Sequence, residues 1–283
     1  MSANNLTNTK ADLIAALVQR ELLEKASLTP FLMNFSGLAG KGAKSIEIPK
    51  LSSFTVQDRT LGAAASENSP LTDSTDVISL NKSKIVLFGY DSHDEIQSSI
   101  DYMASAISRA SAAHGRQINS DILTSWTTVA GLSVNGASPA DITADDILDM
   151  REFLISNFAD MTKSYLVIAA DQEKAMLKLA EFSRYDYRGG SASPIVNGQI
   201  GFVYGVPVVI NQQVASQQAF MVNMEGSGYA FQKAPAVAEQ VALQYGTGGK
   251  QVAIDCLYGI GGLQLGEGSA AVGKSPLIAK LKD

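Results

Sequence analysis

A chain of 283 residues with 46% apolar side chains can bury a sizeable core, as one large domain or two small ones. Its formal net charge of −6 leaves no global basic footprint for gripping nucleic acid. Its single cysteine, Cys256, excludes an intrachain disulfide and a thiolate metal cluster. No apolar run reaches the ~18–20 residues of a membrane span, and the first ten residues lack a signal-peptide core.

The charged fraction of 18% is below the usual ~25%, which suits a protein whose surface is largely hidden in permanent contacts. Cys256 sits in an alternating apolar run and reads as a buried structural thiol in a reducing compartment.

Thr9 to Asp12 resembles a capping box, and Leu13, Ile14, Leu17, Val18 and Leu22 follow at helical spacing. A helix is expected over about residues 10–25. Pro30, Gly37, Gly40 and Gly42 then end regular structure. From Ser45 the period changes to two. Ser45–Ile48, Ser53–Gln57, Asp76–Leu80 and Lys84–Phe88 read as strands around a polar stretch, Thr60–Thr75. The simplest reading is a long two-stranded arm, which is marginal in water without a neighbour to lie on.

Ser92 can cap a helix whose apolar stripe runs Ile96, Ile100, Met103, Ile107, Ile118, Ile122, Trp126. This predicts a spine of about seven to nine turns, with Gly115 as the place where it could break. Gly131–Ala140 reads as a linker. Thr143 to Asp146 forms a second capping box ahead of Ile147, Met150, Leu154 and Phe158, which share one helical face. Tyr165–Ala170 reads as a buried strand, and Asp171 as the cap of a helix carrying Met176, Leu177, Leu179 and Phe182. Arg184–Ser193 is a polar loop.

Gly198–Ile210 is an apolar run punctuated by Gly198, Gly201, Gly205 and Pro207. It predicts strand, tight turn, strand, with glycines where the chain needs positive φ or close approach. Ala219–Val222 is a short strand. Residues 237–245 and 252–260 then alternate on either side of Gly246, Gly248 and Gly249. This long hairpin has strands of about ten residues, against the ~5–6 of ordinary sheets.

The chain offers little to catalysis. His93 and His114 have no partner at metal-ligand spacing and read as capping or surface residues. The acid pairs Asp94-Glu95 and Asp145-Asp146 sit at predicted helix starts, where the helix dipole favours them. Residues 246–251 lack the Ser/Thr of a phosphate loop, and residues 259–264 lack the third glycine of a dinucleotide fingerprint. Arg184, Tyr185, Tyr187 and Arg188 could stack on bases, although a solvated or intersubunit loop explains them better. No catalytic, cofactor-binding or metal site is expected.

The order of these segments resembles the major capsid protein of tailed bacteriophages, the Hong Kong 97 phage-type α+β fold. The sharpest matches are Gly198–Ile210, Ser45–Leu51 with its polar arm, and Lys84–Gly115 leading from arm to spine. The resemblance implies an N-terminal arm (1–43) and an extended arm, or E-loop (44–90), lying across a neighbouring subunit. It implies a peripheral domain (91–137 and 232–258) and an axial domain (138–231 and 259–283).

It further implies pentamers and hexamers closing into an icosahedral shell, with Gly246, Gly248 and Gly249 at a hairpin tip near threefold contacts. Gly198, Gly201, Gly205 and Pro207 would shape the axial wall. The shell would enclose double-stranded DNA without reading its sequence, join a portal protein, and assemble in the host bacterial cytoplasm without a membrane. Separate scaffolding and decoration proteins are compatible partners.

Some relatives join an arm lysine to an asparagine on the terminal hairpin. Lys50, Lys82 and Lys84 lie in or beside the arm, but no asparagine follows Asn223, so no such cross-link is expected. An encapsulin-type shell around an enzyme cargo is the alternative. A small-molecule enzyme is a more distant one.

Overall fold

The structure, a computed structural model, describes residues 28–51, 58, 61–62, 73–91, 102–135, 141–179, 201–246, 249–264 and 274–281. The predicted helix over residues 10–25, strand 53–57, the Ser92 cap, His93, the Asp94-Glu95 pair, Phe182 and the Arg184–Ser193 loop lie outside them.

One helix organises the rest. Helix α1, Tyr102–Val129, runs 28 residues unbroken through Gly115. Gly115 is exposed with open space around it, so it costs propensity without offering a hinge contact. The predicted stripe is real at Ile118, Ile122 and Trp126, which face a six-stranded sheet.

That sheet has the order β5-β12-β9-β6-β8-β7, where β5 is Ala130–Val134, β6 Ser164–Ile168, β7 Phe202–Val203, β8 Val206–Ile210, β9 Ala219–Asn223 and β12 Ser275–Leu281. It is mixed: β5/β12 and β6/β8 are parallel, the other pairs antiparallel. Alternate residues divide its two faces. Val167, Phe220, Val222 and Ile278 meet α1 together with Leu28 and Leu32 of the N-terminal segment. Leu166, Ile168, Met221 and Ala279 meet helices α2 (Ala144–Ser156) and α3 (Ala170–Lys178) on the opposite face. The result is helix, sheet, helix in three layers.

The second sheet has the order β1-β10-β11-β4, with β1 Met33–Asn34, β4 Lys82–Tyr90, β10 Ser227–Val241 and β11 Lys250–Gly262. The hairpin β10–β11 is longer than expected, at 15 and 13 residues. A separate ribbon pairs β2, Ser45–Leu51, with β3, Asp73–Ser79. The strand expected at Lys84–Phe88 exists, but it does not extend this ribbon. As part of β4 it pairs with β11, in register from Lys82↔Tyr258 to Tyr90↔Lys250.

Three further expectations are corrected. The supposed linker opens as strand β5, because Leu132 and Val134 find parallel partners on β12. Phe158 does not continue the buried face of α2: the helix ends at Ser156, and Phe158 turns out at φ 61° and 75% exposed. Its neighbours Ile147, Met150 and Leu154 are fully buried as expected. Asp171 is not the cap of α3; Ala169 is, without a side-chain bond. The capping box of α2 forms as read, with Asp146 N donating to Thr143 Oγ1 and Thr143 N to Asp146 Oδ2.

The C-terminus of α1 runs directly into β5 with no capping glycine. Two lysines from the end of the chain take that role: Lys280 Nζ donates to Thr127 O at 3.3 Å, and Lys274 Nζ to Thr128 O at 2.5 Å. Cations there also oppose the negative end of the helix dipole. Trp126 is fully buried and donates from Nε1 to Ser227 Oγ at 3.0 Å. Trp126→Ala should therefore cost about 3–5 kcal/mol, read as a lower unfolding midpoint in urea; a loss below about 1 kcal/mol would contradict this packing.

Candidate assembly surfaces

The root of the β2–β3 ribbon lies on the long hairpin through close backbone approach. A Cβ at Gly259 would overlap the Ser79 carbonyl, and one at Gly261 would meet Ile78 Cγ1 at 3.1 Å. Ile46 and Ile78 pack there against Ala230 and Leu263. Gly259 and Gly261, in a run unfit for a dinucleotide, are thus the floor on which the arm sits, while Gly262 lets Val129 of α1 approach from the other face. Sequence reasoning missed this role; the signal was three glycines inside an otherwise β-branched strand. Leu61, farther out on the arm, is fully exposed. Lys50 Nζ donates to the Gln264 carbonyl and ties the arm's flank to the end of the hairpin strand.

Helix α1 covers one face of the four-stranded sheet, and the arm root covers the Gly259–Gly261 end of the other. On the α1 face Val252, Ile254, Cys256 and Tyr258 are buried. Here α1 presents polar groups. His114 is buried, not superficial; its Nε2 bonds to Ile254 O at 2.9 Å, and a carbonyl can only accept, so Nε2 carries the proton. Nδ1 is then left to accept from the Cys256 thiol at 3.6 Å. Burial, with the nearby Asp255 charge, pushes that thiol above its ordinary value and keeps it protonated. Farther along, Asp121 accepts from Tyr258 Oη at 2.7 Å and pairs with Lys82 Nζ at 3.3 Å. Burial and the Asp121 carboxylate raise the Tyr258 phenol above its ordinary value.

Away from the arm root, the opposite face is exposed among the described residues. Ile85 and Leu87 of β4 are 63% and 56% exposed. The register places Ala253 of β11 and Ala238 of β10 beside Leu87, and Asp255 and Ala236 beside Ile85. Lys233 and Asp255 form an ion pair on the same face. At the far end the tip curls over: the Tyr245 ring fills the space of a Gly89 side chain. Among the described residues, β10 beyond Lys233 is an edge without a partner strand and carries exposed Val237 and Val241. A bare apolar face and a free edge are what a sheet has before a partner covers it.

Of the glycines singled out in sequence, Gly198 and Gly248 lie outside the described residues. Gly205 is demanded by its conformation: Tyr204 and Gly205, at φ 46° and 82°, make the two-residue turn between β7 and β8. Gly201 has no positive φ and open space around it. Pro207 removes no ladder bond, because pairing of β8 with β6 begins at Val208. Gly246 has φ 89°, and a side chain at Gly249 would overlap the Tyr245 backbone, so both shape the hairpin tip.

Asp171 anchors the loop before β9. Its Oδ2 accepts from Ser216 Oγ at 2.7 Å and Gln217 N at 2.8 Å. Burial raises its pKa, but these bonds outweigh that and hold it below the ordinary 3.8. Among the described residues no group of His, Cys, Asp and Glu could hold a metal, and no helix is long and apolar enough to cross a membrane.

An arm rooted on glycines, a bare sheet face and a free edge together mark a subunit of a larger assembly. The chain belongs to the phage capsid protein family, whose model matches residues 39–251. No curated protein matches it in sequence. Solved structures share its fold at low identity. The Mycobacterium phage Che8 structure superposes with a TM-score of 0.73 at 16% identity, over 90% of this chain and 91% of that one. The capsid of Cyanophage P-SCSP1u gives 0.75 at 12%, over 100% and 95%. The capsid of Cyanophage Pam1 gives 0.71 at 11%, over 99% of each. The α+β, Hong Kong 97-like fold is therefore that of a structural coat protein.

Two outcomes follow from this geometry. Gly205→Val should destabilise by about 1–3 kcal/mol while Gly205→Asn is better tolerated, because asparagine enters the left-handed region more readily; equal midpoints for both variants would refute the turn argument. A carboxylate with a depressed folded pKa stabilises above its unfolded value, and that stability is lost as pH falls through the folded one. Asp171→Asn should therefore lower stability at pH 7 and flatten the acid loss below about pH 4; an unchanged acid limb would contradict it.

Proposed function

We propose that this chain builds an icosahedral shell from rings of five and six copies, and that the shell encloses double-stranded phage DNA. The face around Ile85 and Leu87 carries the reading: both side chains are exposed, on a strand paired with β11 in unbroken register. In this reading the two-stranded arm of a neighbouring copy covers it. The arm cannot be stable as an isolated ribbon and the face is unsuited to water, so each supplies what the other lacks. The contact is heterologous, which closes into rings when the rotation permits.

Residues 1–43 serve as the N-terminal arm, and within 44–90 the β2–β3 ribbon serves as the extended arm while β4 joins the four-stranded sheet. Helix α1 with the β10–β11 hairpin forms the peripheral domain, and the six-stranded sheet with α2 and α3 the axial domain, with β5 (130–134) on the axial side of the 91–137 segment. The membership in the phage capsid family and the fold of phage capsid structures support this division. The role is structural and no reaction is assigned to the chain. Assembly takes place in the host cytoplasm, with a portal at one vertex and scaffolding or decoration proteins as separate chains. Holding forces are non-covalent: Lys82 is engaged with Asp121 and Lys50 with Gln264, and no asparagine follows Asn223. Mature particles boiled in denaturant should run as a single monomer band, and a ladder of covalent multimers would contradict this.

Leu87→Asp combined with Ile85→Asp tests the docking face. Both positions are exposed, so the folded subunit should lose no more than about 0.5 kcal/mol per site. Sedimentation and negative-stain microscopy should nevertheless show free subunits in place of particles. Normal particles from the double variant would overturn the docking reading.

A further inference from the structure

A cleft lined by cations separates α2 from α3. The two helices start side by side, because Ile142 N, just ahead of α2, donates to Gln172 Oε1 of α3 at 2.7 Å. Their contacts show which sides face each other. Toward β5, α2 turns Asp146, which accepts from Asn135 Nδ2 at 2.8 Å, and Phe153, whose ring fills the space of a Gly131 side chain. Leu148, Arg151 and Ile155 therefore project from the opposite side, toward β9, β6 and α3. Toward β9, α3 turns Asp171, held by Ser216 and Gln217. Lys174 and Lys178 follow Asp171 at helical spacing and share its side, facing α2.

The walls of this cleft are unfinished. Leu148 and Ile155 are 41% and 46% exposed. Lys174 and Lys178 are exposed, and among the described residues neither they nor Arg151 form an ion pair. Arg151 Nε is buried with no acceptor, a state that native interiors avoid. Asp171 is engaged at the mouth, Asp145 and Asp149 point to solvent, and Glu152 stands at the rim.

We infer that the cleft between α2 and α3 docks an acidic, apolar segment of a separate protein chain. Its carboxylates answer Arg151, Lys174 and Lys178, and its aliphatic side chains cover Leu148 and Ile155. A carboxylate matches the guanidinium fork, Nε included, with two parallel bonds. A free phosphate would leave the two aliphatic side chains in water. A second copy does not supply the segment. The longest row of exposed acids among the described residues is that of α2, on the same layer as the cleft. In a wall one subunit thick, that row points out beside a neighbour's cleft and not into it; this step rests on the shell reading above.

Fluorescence anisotropy of the full-length chain with a fluorescein-labelled peptide of alternating Glu and Leu residues provides the test, beside a Lys–Leu peptide and inorganic phosphate at matched ionic strength. The acidic peptide should bind, weaken as salt rises, and bind at least about tenfold more weakly to Lys174→Glu/Lys178→Glu and to Arg151→Gln. Arg116→Glu, on α1 across the sheet, should leave its affinity unchanged. Equal affinity for the wild type and both cleft variants would overturn the inference, as would equal binding of the Lys–Leu peptide or displacement by phosphate. Loss of particles from Lys174→Glu/Lys178→Glu with an unchanged circular dichroism spectrum would assign the cleft to a second copy and overturn it too. A wild-type chain that forms no particles would sink the shell reading, while peptide binding to the free subunit would still decide the cleft.

Discussion

Everything in this subunit hangs on one uninterrupted helix serving two cores. The C-terminal half of α1 buries Ile122, Leu123 and Trp126 against the six-stranded sheet. Its middle meets the four-stranded sheet through His114 and Asp121, whose partners there are Ile254 O, Cys256, Tyr258 and Lys82, while Gln117 donates to Asp121 along the helix. The first contact is held by apolar burial, which is strong and indifferent to direction. The second is held by hydrogen bonds, which fix the angle at which the hairpin leaves the helix. The helix thus transmits the placement of one sheet to the other, and a shell subunit needs that angle defined before any neighbour arrives.

Closure of the subunit is non-local. Strand β12 comes last in the chain yet lies between β5 and β9, with every residue buried, and its Lys280 and the adjacent Lys274 cap the helix that begins over 140 residues earlier. A sheet completed by its final strand folds slowly, because that pairing must wait for a long loop to close. The arm is handled differently. Its root is set by glycines that let β3 approach β11.

Much of this was legible in the residues. The box from Thr143 to Asp146, the stripe ending in Trp126, the turn at Gly205 and the alternation from Val252 to Tyr258 are local patterns with local causes. What failed was decided at a distance. Gly131 with its neighbours looks like a linker until β12 supplies parallel partners from the end of the chain. Lys84–Phe88 alternates as an arm strand would, and only pairing with β11 distinguishes the two. His114 looked superficial because nothing nearby in sequence announces Ile254 O or Cys256. Gly201 and Gly205 look equivalent in sequence, yet only one sits in the left-handed region. For the assembly surfaces, the order of segments was informative, while the bare face at Ile85 and Leu87 required the register of β4 on β11.

The central claim is that a second copy's arm completes the four-stranded sheet. Electron cryomicroscopy of the assembled protein tests it directly. The account predicts closed shells in which a two-stranded ribbon from one subunit lies across Ile85, Leu87 and Ala253 of the next. Closed shells with that face open to solvent, or a protein that stays monomeric at high concentration, would contradict it.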